Sequence, residues 1–198
     1  MVLLMSKRTP VYGVGINDSD YATQSVVDGV KVICPAYSAW KSMLYRVYSK
    51  ASLDRNPCYK GVVVCDEWLR FMSFRKWWIE HHVGGWCLDK DIIGCGHTYS
   101  PSDCIYIPNW INTITSDVAS SRGDLMIGVS LAGNKFRANC RHPFGDIPRH
   151  IGYFDNEIDA HLAWKRRKIE VIDSLKSKMD EIDTRIHGRL LEIIGESK

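Results

Sequence analysis

Ile127-Gly128-Val129-Ser130-Leu131, the pair Gly133-Asn134, Lys135-Phe136-Arg137-Ala138-Asn139-Cys140-Arg141, and, past a loop, His150-Ile151-Gly152-Tyr153-Phe154 running into Asp155-Asn156-Glu157 decide the fold class of this chain. Three short runs with turn residues between them predict a three-stranded antiparallel sheet, with a helix next in sequence. In the second run Lys135, Arg137, Asn139 and Arg141 alternate with Phe136, Ala138 and Cys140. A period of two puts the apolar set on a buried face and the cationic set on the other. Arginine donates in pairs to guanine, asparagine pairs with adenine and lysine meets phosphate, so the exposed row suits a DNA groove.

Working outward, Asp155 is the expected N-cap of the next helix, with Asp159 in its first turn. Ile158, Leu162, Ile169, Ile172, Leu175, Met179, Ile182, Ile186, Leu190 and Ile193 keep a three-four spacing to the end, which predicts one unusually long helix. Ile172, Met179, Ile186 and Ile193 lie seven apart, so the far half needs a partner surface. A second copy of the chain is the favoured partner, giving a homodimer; the N-terminal domain is the other. Gly188 weakens the helix locally without ending it.

Upstream, Val26 to Ile33 reads as a hairpin around Asp28-Gly29. A helix follows Pro35, with Tyr37, Trp40, Leu44, Val47 and Tyr48 on one face, and another runs from Glu67 to His81 with an aromatic stripe that reads as core. Val62–Cys65, Trp86–Ile93 and Cys104–Ile107 read as strands, and Pro108 opens a short helix over Asn109–Ile114. Small polar residues then mark a linker. The expected organisation is a mixed domain over residues 1–115, a linker over 116–124 and a sheet-and-helix domain over 125–198: an α+β protein.

The 198 residues are 45% apolar and 25% charged, ordinary globular proportions, with a formal net charge of only +3. Between Arg122 and Lys178, however, eleven Lys and Arg face seven Asp and Glu, and clustering matters more than the total for a polyanion partner. Seven cysteines without a CxxC pair suit reduced thiols in a cytoplasm. Cys87, Cys95, His97 and Cys104 could instead gather round a metal, although buried small hydrophobes are the commoner role. No run is apolar enough for a signal peptide or a membrane span.

One segment has the outline of a cation site. Asp89 and Asp91 sit at a strand exit, and Asn109 and Asn112 lie on the helix after the hairpin. A carboxylate and an amide brought together offer oxygen ligands to Mg²⁺ or Mn²⁺, which could hold a scissile phosphate. His97, His81 and His82 are the nearest candidate bases. Asp and Asn beside turns also commonly cap backbone, so the structural role stands beside the catalytic one.

Two family resemblances bear on these residues. Gly13-Val-Gly-Ile-Asn-Asp18, Cys34-Pro-Ala-Tyr-Ser-Ala-Trp40, Cys65-Asp-Glu-Trp-Leu-Arg-Phe71, Leu88-Asp-Lys-Asp-Ile92 and Tyr99-Ser-Pro-Ser-Asp-Cys104 resemble bacteriophage HNH-like or homing-type endonucleases. The resemblance implies a degenerate β-hairpin-helix in which Asp89 takes the metal-binding aspartate's place and Asn112 the terminal helix ligand's. Asp103 or Ser102 takes the middle asparagine's place. Lys90 stands where that family carries its water-activating histidine, a departure that separates binding from cleavage. Gly128-Val-Ser130, Asn134-Lys-Phe-Arg-Ala138, His150-Ile-Gly-Tyr-Phe-Asp155 and Glu157 with Ala160, Ala163 and Trp164 resemble the Apetala-type domain of ethylene-response factors, which also follows HNH modules in phage enzymes. It implies groove contacts from Arg137, Asn139 and Arg141, phosphate or edge contacts from Lys135, Arg149 and His150, and packing roles for Gly152, Tyr153, Phe154, Ala160 and Trp164.

Together these features predict a phage DNA-binding protein acting on duplex DNA in the cytoplasm of an infected bacterium, with a metal-dependent endonuclease site as its catalytic option. The alternatives are a non-catalytic regulator or architectural protein using the same sheet, and a module that contacts a host protein.

Overall fold

The computed structural model describes residues 9–115, 123–145 and 147–197. The chain divides into two compact units, Met1–Gly84 with Leu88–Tyr106, and Gly85–Cys87 with Ile107–Lys198. Most of the expected linker, residues 116–122, lies outside the described residues.

The first unit begins with a hairpin of β1 (Gln24–Val27) and β2 (Val30–Ile33), registered from Gln24↔Ile33 to Val27↔Val30. Its two-residue turn needs both central residues at positive φ, and Asp28 and Gly29 supply 50° and 76°. Pro35 opens α1 (Pro35–Tyr48), followed by α2 (Lys50–Arg55). The helix expected from Glu67 is shorter: Asp66–Leu69 is a 3₁₀ turn and α3 spans Phe71–His81. Arg70 is extended between them because Ile16 takes over the backbone there, its N–H donating to the Leu69 carbonyl at 2.7 Å and its carbonyl accepting from Phe71 at 3.0 Å.

The aromatic stripe is core, as its spacing predicts. Trp40, Trp68, Phe71 and Phe74 are fully buried, and Trp40 Nε1 donates to the Trp68 carbonyl at 2.6 Å. Trp68 meets Phe74 edge-on with centroids 5.1 Å apart. Such pairs add about 0.5–1.5 kcal/mol each beyond their buried area.

The strands of the candidate cation segment are brief. β3 (Val63–Val64) pairs in parallel with β5 (Thr98–Tyr99), and β4 (Cys87–Asp89) pairs with β6 (Ile105–Ile107). The strand expected over Trp86–Ile93 stops at Asp89 because that carboxylate turns the chain, accepting from the N–H groups of Asp91 at 2.9 Å and Ile92 at 2.8 Å.

In the second unit α4 (Asn109–Thr115) buries Ile111 and Ile114. The expected antiparallel sheet is present as β7 (Val129–Ala132), β8 (Lys135–Asn139) and β9 (His150–Phe154), in that order. Across it packs α5 (Glu157–Ser174), burying Ala160, His161, Trp164 and Ile172. Its N-cap is Asn156, one residue beyond the expected Asp155; the Asn156 side chain accepts from Asp159 N–H at 2.8 Å. Gly128 is the tightest point: at φ 83°, an added Cβ would lie 2.0 Å from Trp164 Cγ.

The single long helix is corrected to a helical hairpin. The chain leaves α5 at Leu175, forms a short α6 (Lys176–Asp180), and returns as α7 (Arg185–Glu196). Asp183 ends the bend by accepting from Arg185 N–H at 2.9 Å and pairing with its guanidinium at 2.7 Å. Of the residues expected to seek a partner, Ile172, Leu175, Met179 and Ile186 are buried at 3% exposure or less within one chain, while Ile182 and Ile193 are half-buried. His187 Nε2 lies 2.9 Å from Asp173 Oδ1, and Lys165 donates to the Gly195 carbonyl at 2.6 Å near the end of α7. A lysine suits those unpaired carbonyls.

Candidate nucleic-acid interface

Cross-strand partners share a face of a sheet. Val129, Ala138 and Gly152 are directly opposed and form a row toward α5, with Ala138 fully buried. One residue along, Ser130, Arg137 and Tyr153 form a row on the opposite side. Lys135 is paired with Ala132, and Asn139 with His150 past a register shift between Ala138 and Asn139. Lys135, Arg137 and Asn139 therefore share the outer face, as their alternation predicts. His150 joins them, its ring 4.8 Å from that of Tyr153.

The side chains on this face are held loosely. Arg137 Nε donates to Ser130 Oγ at 3.1 Å, which aims the guanidinium while its terminal nitrogens make no hydrogen bond among the described residues. Lys135 pairs with Asp155 at 2.9 Å, both side chains being more than half exposed. A surface pair of this kind contributes about 1 kcal/mol at most, so a phosphate can displace the carboxylate.

Two placements differ from the expected ones. Tyr153, expected to pack, is 57% exposed in the middle of the outer face. Its position opposite Arg137 is the signal that could have identified it, once strand pairing was known. Arg141 lies beyond the end of β8 and lines a cleft with Arg149. The two are brought together by Cys140 N–H, which donates to the Arg149 carbonyl at 2.8 Å. Among the described residues neither arginine has a carboxylate partner.

The candidate cation segment is built differently from an open metal site. Asp89 is buried, and one of its oxygens is held by two backbone N–H groups; burial pushes its carboxyl above the usual carboxylate range, against the pull of those bonds. Lys90 is also buried, its ammonium donating to Asp91 Oδ1 at 2.5 Å and the Gly96 carbonyl at 2.7 Å, between the rings of Tyr59 and Tyr99. His97 is exposed, and its carbonyl accepts from Val63 N–H at 2.9 Å. Asp103 accepts a short hydrogen bond from Ser100. Asn112 lies on α4, which belongs to the second unit, whereas Asp89 belongs to the first. Among the described residues, no three His, Cys, Asp or Glu side chains form a group that could hold a metal ion. Oxygen donors committed to turns fit Mg²⁺ or Mn²⁺ poorly.

The cysteines expected to be thiols are unpaired, Cys104 with its thiol pushed up to about 12 by burial. Among the described residues, no helix is long and apolar enough to cross a membrane. No family model, curated protein or solved structure matches the chain.

Proposed function

We propose that this protein binds duplex DNA through the outer face of the β7–β9 sheet. The observation that carries the reading is the register: one exposed face presents Lys135, Arg137, Asn139, His150 and Tyr153 while the other is filled by α5. The backbone of a packed sheet gives these donors fixed spacing, so their chemistry can be matched to base edges. Arg137 and Asn139 are the base readers, Lys135 and His150 the backbone contacts, and Tyr153 an apolar contact for a sugar or a thymine methyl.

Selection from a randomised duplex pool tests this. The wild type should enrich a short motif, and Arg137→Ala or Asn139→Ala should each relax a different position in it, at about 1–3 kcal/mol per lost bidentate contact. A pool that stays random would count against the reading.

Metal-dependent cleavage rests on the resemblance and is assigned no step. With Asp89 and Lys90 both engaged in the fold, supercoiled plasmid should stay intact with Mg²⁺ or Mn²⁺. Nicking that a chelator, Asp89→Ala and Asn112→Ala each remove would reinstate the endonuclease expectation.

A further inference from the structure

Tyr153 stands in the middle of the outer face at 57% exposure, whereas Phe154 next to it is half-buried. It lies directly opposite Arg137 across β8 and β9. Its ring is 4.8 Å from that of His150, at an interplanar angle of 53°. An aromatic ring placed in this way offers a large contact area with only two side-chain torsions to order. Ser130, on the other side of Arg137 in the same row, is already engaged, its Oγ accepting from Arg137 Nε at 3.1 Å.

Neighbouring strands lie about 4.8 Å apart, and neighbouring base pairs about 3.4 Å. With Arg137 on the O6 and N7 atoms of a guanine, a side chain one strand away falls nearest the adjacent base pair. Base edges in the major groove are mostly donors and acceptors, and the apolar group among them is the 5-methyl of thymine. Cytosine and uracil carry hydrogen at that position, while 5-methylcytosine carries the same methyl as thymine. A ring beside a guanine-reading arginine is matched to that methyl. Resting on the DNA-binding reading above, we propose that Tyr153 is a specificity-determining residue that reads the 5-methyl group of the pyrimidine in a base pair flanking the guanine of Arg137. The protein thereby binds thymine there more tightly than uracil, and 5-methylcytosine more tightly than cytosine. Methylation of a cytosine at that position strengthens binding.

The test is fluorescence anisotropy with the duplex enriched by selection, centred on the guanine whose preference Arg137→Ala relaxes. The pyrimidine of each flanking base pair is compared with and without its methyl: thymidine against deoxyuridine, or 5-methyldeoxycytidine against deoxycytidine. At one flank the methylated probe should bind about fourfold tighter, the worth of one buried methyl group. Tyr153→Ala should bring that ratio to one, and Tyr153→Phe, which keeps the ring, should preserve it. Equal binding of methylated and unmethylated probes at both flanks overturns the role of Tyr153 and leaves the sheet reading standing. Failure to enrich a duplex with such a guanine overturns both. A ratio that survives Tyr153→Ala assigns the methyl to another residue and overturns the proposal, as does a ratio lost in Tyr153→Phe, which moves the contact to the hydroxyl.

Discussion

Single residues carry unequal weight here, and Gly128 carries more than any charged one. Its φ of 83° is one that side chains rarely adopt, and the indole of Trp164 fills the place of a Cβ. Gly128→Ala should lose at least about 2 kcal/mol in urea unfolding, because strain and overpacking add. Lys168 is the opposite case, a cation that the fold tolerates. It is 7% exposed, lies over the Trp164 ring and makes no ion pair among the described residues; burial lowers its pKa. The unfolded chain then holds this proton more tightly, so stability from this site rises as pH climbs from the lowered folded value toward 10.5. Lys168→Met should raise the melting temperature near neutral pH, with the gain shrinking toward pH 10.5; an unchanged difference across pH would contradict it. Asp89 was legible as an acidic residue beside a turn, but its burial was not. Its raised pKa means stability falls as pH rises from 3.8 through the folded value, so Asp89→Asn, which keeps an acceptor for both N–H groups, should flatten that slope.

Among elements, the strands were easier to read than the helices. Period-two alternation over Lys135–Asn139 leaves one solution, because a slip by one residue would bury three polar side chains. The terminal helix was misread because a three-four spacing of Ile, Leu and Met serves a helical hairpin as well as a continuous coil. Asp183-Thr184 was the local sign of a new start, since Asp at such a bend caps the next helix. The seam's burial makes a direct prediction. Leu190→Ala should cost about 2–5 kcal/mol by opening a cavity between α5 and α7. The full chain should sediment at the mass of one copy at micromolar concentration, and a reversible two-chain species would require another apolar contact. The helix expected from Glu67 failed for a different reason: its interruption comes from Ile16, far away in sequence, which no local pattern reveals.

At the scale of the whole molecule, two units are built from unlike material. The first is stitched by tryptophan and phenylalanine around α1 and α3, the second by aliphatic contacts of α5 and α7 beneath a sheet. The site residues that lie on one strand were legible as a set, because Lys135, Arg137 and Asn139 need only alternation to share a face. Tyr153 and the nearness of Arg141 to Arg149 were not, since they depend on pairing across strands and on the path of the loop. The central claim is that the outer face of the sheet binds DNA. Its most direct test is duplex affinity as a function of salt for the wild type, Arg137→Ala and Lys135→Ala. Affinity should fall steeply between about 50 and 200 mM salt, with Lys135→Ala reducing the logarithmic slope by about 1 and weakening all sequences alike. Arg137→Ala should weaken the preferred sequence most. Equal affinities and equal slopes for all three proteins would contradict the account.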